Sequence, residues 1–272
     1  MAKRKVTPTQ AELEAAIPAG ELVLLYQPQM TADGKTLAAV EALTRWEHPD
    51  HGLLGPENFI MLADRTGLIE PLGDWALRQA CRDARRWPGL GIGVNVSPLQ
   101  FRRPHFVDEV AAAIRAAGIP FDQVELEIVE TAFFDDPDRA ESSLRALRAF
   151  GVRIALDDFG TGYSSLSYLR RLPLDKLKVD KSFVDDIGSA RSAAIVHALV
   201  ALARAIGLKI TAEGVETPEQ QKFLRAAGCH YLQGFLFSRP VPAAEIDLLY
   251  KQYATQQPPL PPGAALGAKG VI

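Results

Sequence analysis

Along the middle of the chain the apolar positions repeatedly switch from helical spacing to alternation and back. Phe106, Val107, Val110, Ile114 and Ala117 share a helical face, and Gly118 then precedes the strand pattern VELEIV. Ala140, Leu144 and Leu147 lead through Gly151 to VRIALDD, and Ile195, Leu199, Leu202 and Ile206 lead through Gly207 to LKITAEG. Leu224 precedes Gly228 and CHYLQGF. A glycine just past a helix suits a left-handed cap with a strand close behind. Helices alternating with strands predict a parallel sheet. About eight strand patterns occur (LVLLYQ, TLAAVEAL, IGVNV, VELEIV, RIALDD, LDKLKVD, KITAEG and HYLQGF), which points to a closed TIM-like (β/α)8 barrel. The first two are separated only by a turn around Ala32, Asp33 and Gly34, too short for a crossover helix. That pair is expected to be antiparallel.

Within the strands one parity is apolar: Val40, Ala42, Val94, Ile154, Leu156, Leu177, Val179 and Ile210 are expected to lie under the helices. The other parity carries Ala39 then Glu41, Gly93 then Asn95, Glu125 then Glu127, Ala155 then Asp157, Lys176 then Lys178, and Thr211 then Glu213. The second member of each pair falls near a strand's C-terminal end, where barrels build active sites. Converging carboxylates repel, at about 4 kcal/mol for two charges 4 Å apart in an effective dielectric of 20. Divalent cations would relieve the conflict. Oxygen donors without His or Cys favour Mg²⁺ or Mn²⁺ over Zn²⁺. Adjacent Asp157 and Asp158 could flank two ions, as suits in-line attack on a phosphodiester, and Lys178 could hold the attacking oxygen or neutralise developing charge.

Composition narrows the class. The 272 residues carry a formal charge of −3, with 47% hydrophobic and 23% charged residues, as in ordinary globular proteins. There is no long apolar run for a membrane span, no secretory h-region behind MAKRK, and no basic excess to hold a nucleic-acid polymer. Cys81 and Cys229, far apart, fit a reducing cytoplasm and no structural zinc. Residues 1–8 are read as a flexible leader, 9–253 as one domain, and the Pro-, Gly- and Ala-rich 254–272 as a disordered tail. The five histidines lack metal spacing, Trp46, Trp75 and Trp87 read as core, and Arg170 and Arg171 as a solvated helix face.

Eight segments follow one another in order: YQP (Tyr26–Pro28), EALTRW (Glu41–Trp46), VNVS (Val94–Ser97), ELEIVE (Glu125–Glu130), DDFGTGYSSLSYL (Asp157–Leu169), KLKVDKSFV (Lys176–Val184), AEGVET (Ala212–Thr217) and QGFLFSRP (Gln233–Pro240). Together they resemble the EAL domain, a family of bacterial cyclic-di-GMP phosphodiesterases, over roughly residues 10–250. The resemblance implies a (β/α)8 barrel with one antiparallel strand and Mg²⁺- or Mn²⁺-dependent opening of cyclic di-GMP to linear pGpG. It further implies that Glu41, Asn95, Glu127 and Asp157 bind one ion. Asp158 would bind a second, sharing Asp157, with Glu213 acting directly or through water. Lys178 would position water, with Glu213 as candidate general base. Glu130 would brace the loop from Asp158 to Ser165 near a homodimer contact. Gln27, Arg45, Gln233 and Glu216 would meet phosphate or guanine, although an acid at the Glu216 position also favours a helix dipole. Val129, where the family usually has Thr, and Thr44, where Leu or Ala is commoner, are departures that remove no proposed ligand. Regulation by sensor or cyclase domains outside this chain is implied as well. An inert cyclic-di-GMP receptor is the main alternative, and an enolase-like isomerase also suits Mg²⁺ carboxylates beside a barrel lysine.

Overall fold

Alternation of side chains along each strand needs a sheet whose two faces differ, and the fold supplies one by closing the sheet on itself. The computed structural model describes residues 7–159, 169 and 171–254. Most of the expected leader, the tail beyond Ala254, Gly160, Thr161 and Gly162 of the loop, and Arg170 lie outside the described residues.

The strands are β1 (Leu22–Thr31), β2 (Leu37–His48), β3 (Gly52–Leu54), β4 (Gly91–Val96), β5 (Val124–Val129), β6 (Arg153–Phe159), β7 (Lys176–Val179), β8 (Lys209–Ala212) and β9 (Tyr231–Gln233). Their order, β1-β9-β8-β7-β6-β5-β4-β2, closes through pairing of β1 with β2. β1 runs antiparallel to both neighbours, whereas the remaining barrel pairs are parallel. The antiparallel expectation is borne out. β3 was not read from the sequence: it is three residues long, bounded by turn residues, and pairs as a hairpin with a β2 that continues beyond the barrel to His48.

The outward strand residues, Val40, Val94, Leu126, Ile154, Leu177, Ile210 and Leu232 among them, are buried with Ala80, Val110, Ile114, Leu144, Leu147, Val200 and Leu224 from the surrounding helices. Full burial of each large aliphatic side chain stabilises by about 1.5–3 kcal/mol, so this layer supplies most of the cohesion. Helices Phe106–Ala117, Pro137–Phe150 and Pro218–Ala227 end at Gly118, Gly151 and Gly228 in the left-handed conformation, as the glycine positions imply. Helix Ile69–Ala84 ends inside the protein instead. There Gln123 Nε2 donates to Ala84 O (3.0 Å) and Trp87 O (2.8 Å), adding a side-chain bond to carbonyls that already accept from the Trp87 and Leu90 N–H groups.

A second apolar cluster joins helix Gln10–Ala19, β3 and helix Ile60–Thr66 around Leu13, Trp46, Leu54, Phe59 and Ala63. It sits on the extended end of β2, so it walls the C-terminal side of the barrel. Trp46 and Trp87 are fully buried and Trp75 partly so, in line with the core reading. Among the described residues no helix is long and apolar enough to cross a membrane.

Candidate functional site

Parallel pairing brings the inward residues level. Glu41 registers with Gly93, Asn95 with Glu127, and Lys178 with Thr211, so the polar set forms a ring at the C-terminal ends of the strands. At its centre is the Lys178 ammonium, with a side chain only 1% exposed. It donates to Glu127 and to Asp157 Oδ2 (3.2 Å), and pairs with Glu213 Oε1 (2.6 Å) and Glu41 Oε2 (3.6 Å). Asn95 Nδ2 donates to Glu41 Oε1 (2.7 Å). Gln233 Nε2 donates to Glu41 Oε2 (2.6 Å) and to Gln27 Oε1 (3.1 Å), and Gln27 Nε2 to Ser238 O. Glu41, Asn95, Glu127, Asp157, Lys178, Glu213, Gln27 and Gln233 are therefore one connected network. Lys178 is its hub, a position that parity alone does not reveal.

One cation facing four carboxylates leaves the ring short of positive charge. Burial raises the Glu127 carboxyl well above its ordinary value, and the Glu41 charge adds to the effect. Burial likewise pushes Glu213 up to about 8, opposed by Lys178. Glu41 goes the other way: burial disfavours its charge, but Lys178 and the Gln233 and Asn95 donors outweigh that and hold it below the usual range. Lys178 is held well above the ordinary lysine value because its four acidic neighbours outweigh its desolvation. Glu127 Oε1 is buried with no hydrogen-bond partner, and it fills the space where a side chain on Gly93 would begin, 2.1 Å from the ideal Cβ position. Among the described residues no three Asp, Glu, His or Cys side chains are drawn together tightly enough to hold an ion as they stand; the acids close on the ammonium instead.

With Glu213 pushed up to about 8 and Glu127 raised as well, these two carboxyls bind more protons in the folded ring than in the unfolded chain, so their contribution to stability falls as pH rises from about 5 to 8. Melting curves in chelator should show that decline, and Glu213→Gln should flatten it. A wild-type melting temperature constant across the window would refute the charge deficit.

The rim is less regular. The β6–β7 register shifts between Leu156 and Phe159, and Asp158 takes a left-handed φ of 53°, one of the few conformations in which Asp replaces Gly at modest cost. Burial and the Asp157 charge raise the Asp158 carboxyl, so the two acids act on one another despite the alternation that would separate them. Glu130 is buried at the start of the turn Glu130–Phe133, while residues 160–165 of the loop it is expected to brace lie outside the described residues. Glu216 accepts from Lys181 Nζ (2.5 Å) at the exposed rim. Asp180 caps helix Lys181–Asp185.

Two clefts flank the ring. One, of about 610 Å³, is lined by Glu41, Arg45 and Asn95 with Asp64 and Met61; the other, of about 200 Å³, by Gln27, Glu213, Glu216 and Gln233 with Lys181 and Phe235. Sequence reasoning does not single out Asp64, Lys181 or Phe235, and it reads Gly93 only as the small inward residue before Asn95. Lys181 and Phe235 sit inside the quoted segments KLKVDKSFV and QGFLFSRP, which was the available signal, whereas Asp64 lies outside every one of the eight.

The family model described as EAL domain matches residues 10–240. The bifunctional diguanylate cyclase/cyclic di-GMP phosphodiesterase MucR of Pseudomonas aeruginosa is 46% identical over 241 residues, covering 86% of this chain and 35% of that protein. The cyclic di-GMP phosphodiesterase NbdA of the same organism is 47% identical over 251 residues, covering 90% of this chain and 32% of that protein. The chain thus spans about a third of the length of these relatives. A solved structure of the PaMucR phosphodiesterase in complex with c-di-GMP has a TM-score of 0.84 and 46% identity, covering 87% of this chain and 98% of that one. Motif order, the reversed first strand and the matched span agree: this chain belongs to the EAL domain family.

Proposed function

We propose that this chain is a divalent-metal-dependent phosphodiesterase that opens cyclic di-GMP to linear pGpG. One observation carries the reading: a buried ring of oxygen donors with one lysine at its hub lies between two clefts. Five carboxylates (Glu41, Glu127, Asp157, Asp158 and Glu213) with one ammonium reach neutrality when two divalent ions join them. Glu41, Asn95, Glu127 and Asp157 would hold one ion; Asp157 and Asp158, with Glu213, the second. The unpartnered Glu127 Oε1 and the all-oxygen donor set support that fit. When bound, Mg²⁺ or Mn²⁺ supplies electrophilic stabilisation of the phosphate and lowers the pKa of water.

The chain's own groups do the rest. Lys178 orients the attacking water, and Glu213, which pairs with Lys178 in the ring, accepts its proton. Attack on phosphorus breaks the P–O3′ bond, leaving a 5′-phosphate and a 3′-hydroxyl. Gln27, Arg45, Gln233 and Glu216 meet phosphate or guanine, and paired clefts suit a ligand with two bases. Glu130 braces the loop beyond Asp158. The extra length of the relatives supports regulation by domains outside this chain. The names MucR and NbdA carry support the cyclic dinucleotide as substrate.

Chromatography of cyclic di-GMP incubated with purified protein and Mg²⁺ or Mn²⁺ should show pGpG, and chelator should abolish it. Tight binding without cleavage would make the protein a receptor. Gly93→Ala provides an independent check, since its new methyl must displace the Glu127 carboxylate. Mn²⁺ affinity is expected to fall by about 10–100-fold, the range for disturbed ligand orientation, with the fold retained. Unchanged calorimetric affinity would remove Glu127 from the ligand set.

A further inference from the structure

The parity that makes the C-terminal mouth acidic makes the opposite end of the barrel basic. Inward positions at the strand starts are Arg153 on β6, Lys176 on β7, Lys209 on β8 and Tyr231 on β9, with Glu125 on β5 and Gln29 on the reversed β1. They line a cavity of about 70 Å³ at the N-terminal end. A water-sized group needs roughly 10–15 Å³ of such space, so there is room for about five.

Its polar groups are unevenly matched. Lys176 Nζ donates to Glu125 Oε1 (2.6 Å) and Gln29 Oε1 (3.3 Å), and lies 5.0 Å from the centre of the Tyr231 ring. An ammonium can only donate, so it fixes the Gln29 carboxamide with oxygen toward the lysine and nitrogen away. That Nε2 has no hydrogen-bond partner, although Gln29 is fully buried. Arg153 and Lys209 are exposed at the mouth, and neither makes an ion pair among the described residues. The neighbouring acid, Asp175, is already engaged by Arg148 (2.8 Å) and by the Ile154 N–H (2.9 Å). The cavity therefore holds one unmatched buried donor and two unmatched cations, and Glu125 is already neutralised by Lys176. A water would satisfy the amide alone, while solvent hydrates the two exposed cations; an anion with several acceptor oxygens can meet the amide and both cations together.

We propose that the N-terminal end of the barrel binds a small tetrahedral oxyanion of the inorganic phosphate or sulfate class, held by Gln29 Nε2, Arg153 and Lys209. The site is at the opposite pole from the carboxylate ring and is independent of the reaction there.

Calorimetric titration of the chelator-treated protein with inorganic phosphate, and separately with sulfate, at constant ionic strength made up with chloride, tests this. Saturable one-to-one binding is expected, weakened about tenfold or more in Arg153→Ala/Lys209→Ala, whose exposed side chains can be removed without touching the core. Phosphate should also raise the wild-type melting temperature above that in chloride, and this gain should vanish in the double variant. Glu41→Gln, altered only at the other pole, should bind phosphate as the wild type does. Absence of saturable heat with both anions, binding that survives in the double variant, or binding lost in Glu41→Gln would each overturn the proposal.

Discussion

Glu41→Gln is expected to lower the rate of pGpG formation by about 10³-fold, the scale on which removal of one well-placed electrostatic contact acts in a buried site. The substitution keeps the shape of the side chain and removes a charge that the fold works to preserve. Lys178, Gln233 and Asn95 together keep Glu41 ionised in spite of its burial. Glutamine also cannot replace it as an acceptor, because Asn95 and Gln233 each donate to a different carboxylate oxygen. Whichever way the new amide turns, its NH₂ faces another donor. Divalent-ion affinity should fall with the rate, while urea unfolding in chelator should move by only about 1–2 kcal/mol, the cost of an unmatched donor pair. A variant within tenfold of wild type at saturating Mg²⁺ would show that Glu41 is no ligand.

Lys178→Met should have the largest effect on stability. Methionine fills a similar volume but leaves Glu127, Asp157, Glu213 and Glu41 facing one another without a cation. Removing one partner of a buried ionic cluster costs about 3–5 kcal/mol. The expected sign pattern is specific. In chelator at pH 8 the variant loses that amount. Acidification toward pH 5 recovers part of it, because Glu127 and Glu213, already displaced upward, take protons. Mn²⁺ should recover more, although hydrolysis stays low without a group to orient water. Equal stability of variant and wild type at pH 8 in chelator would mean that the carboxylates do not depend on the ammonium.

Much of the ring was legible because it rests on period-two alternation, which a strand cannot evade: Glu41, Asn95, Glu127, Asp157 and Lys178 each follow an inward residue by two positions. What alternation cannot give is the distance across a barrel, and so Lys178 read as a helper for water rather than as the group on which the acids close. Asp158 defeats the rule outright, since simple alternation turns it away from Asp157; the register shift and left-handed backbone, invisible in the sequence, restore it to the mouth. Gly93 reads in the sequence only as the small inward residue before Asn95, and its role stays hidden for the opposite reason. Its contribution is an absent side chain, legible only once Glu127 is seen occupying the vacant volume. The closed barrel followed from counting elements, but β3 did not, because a three-residue strand buries too little to impose a pattern.

The reversal of β1 has a consequence for wiring. In a barrel whose strands all run one way, the chain starts at the floor, remote from the chemistry. Here Leu22 pairs with Trp46 at the upper end of β2, so helix Gln10–Ala19 is delivered beside the end of the barrel that carries the carboxylate ring. Helix Ala243–Ala254, by contrast, is tied through Asp247 to Trp87 and through Tyr250 to Pro88 at the lower end of helix Ile69–Ala84. Polypeptide joined ahead of residue 10 would thus meet the barrel at the end that carries the carboxylate ring, whereas helix Ala243–Ala254 is anchored toward the opposite end.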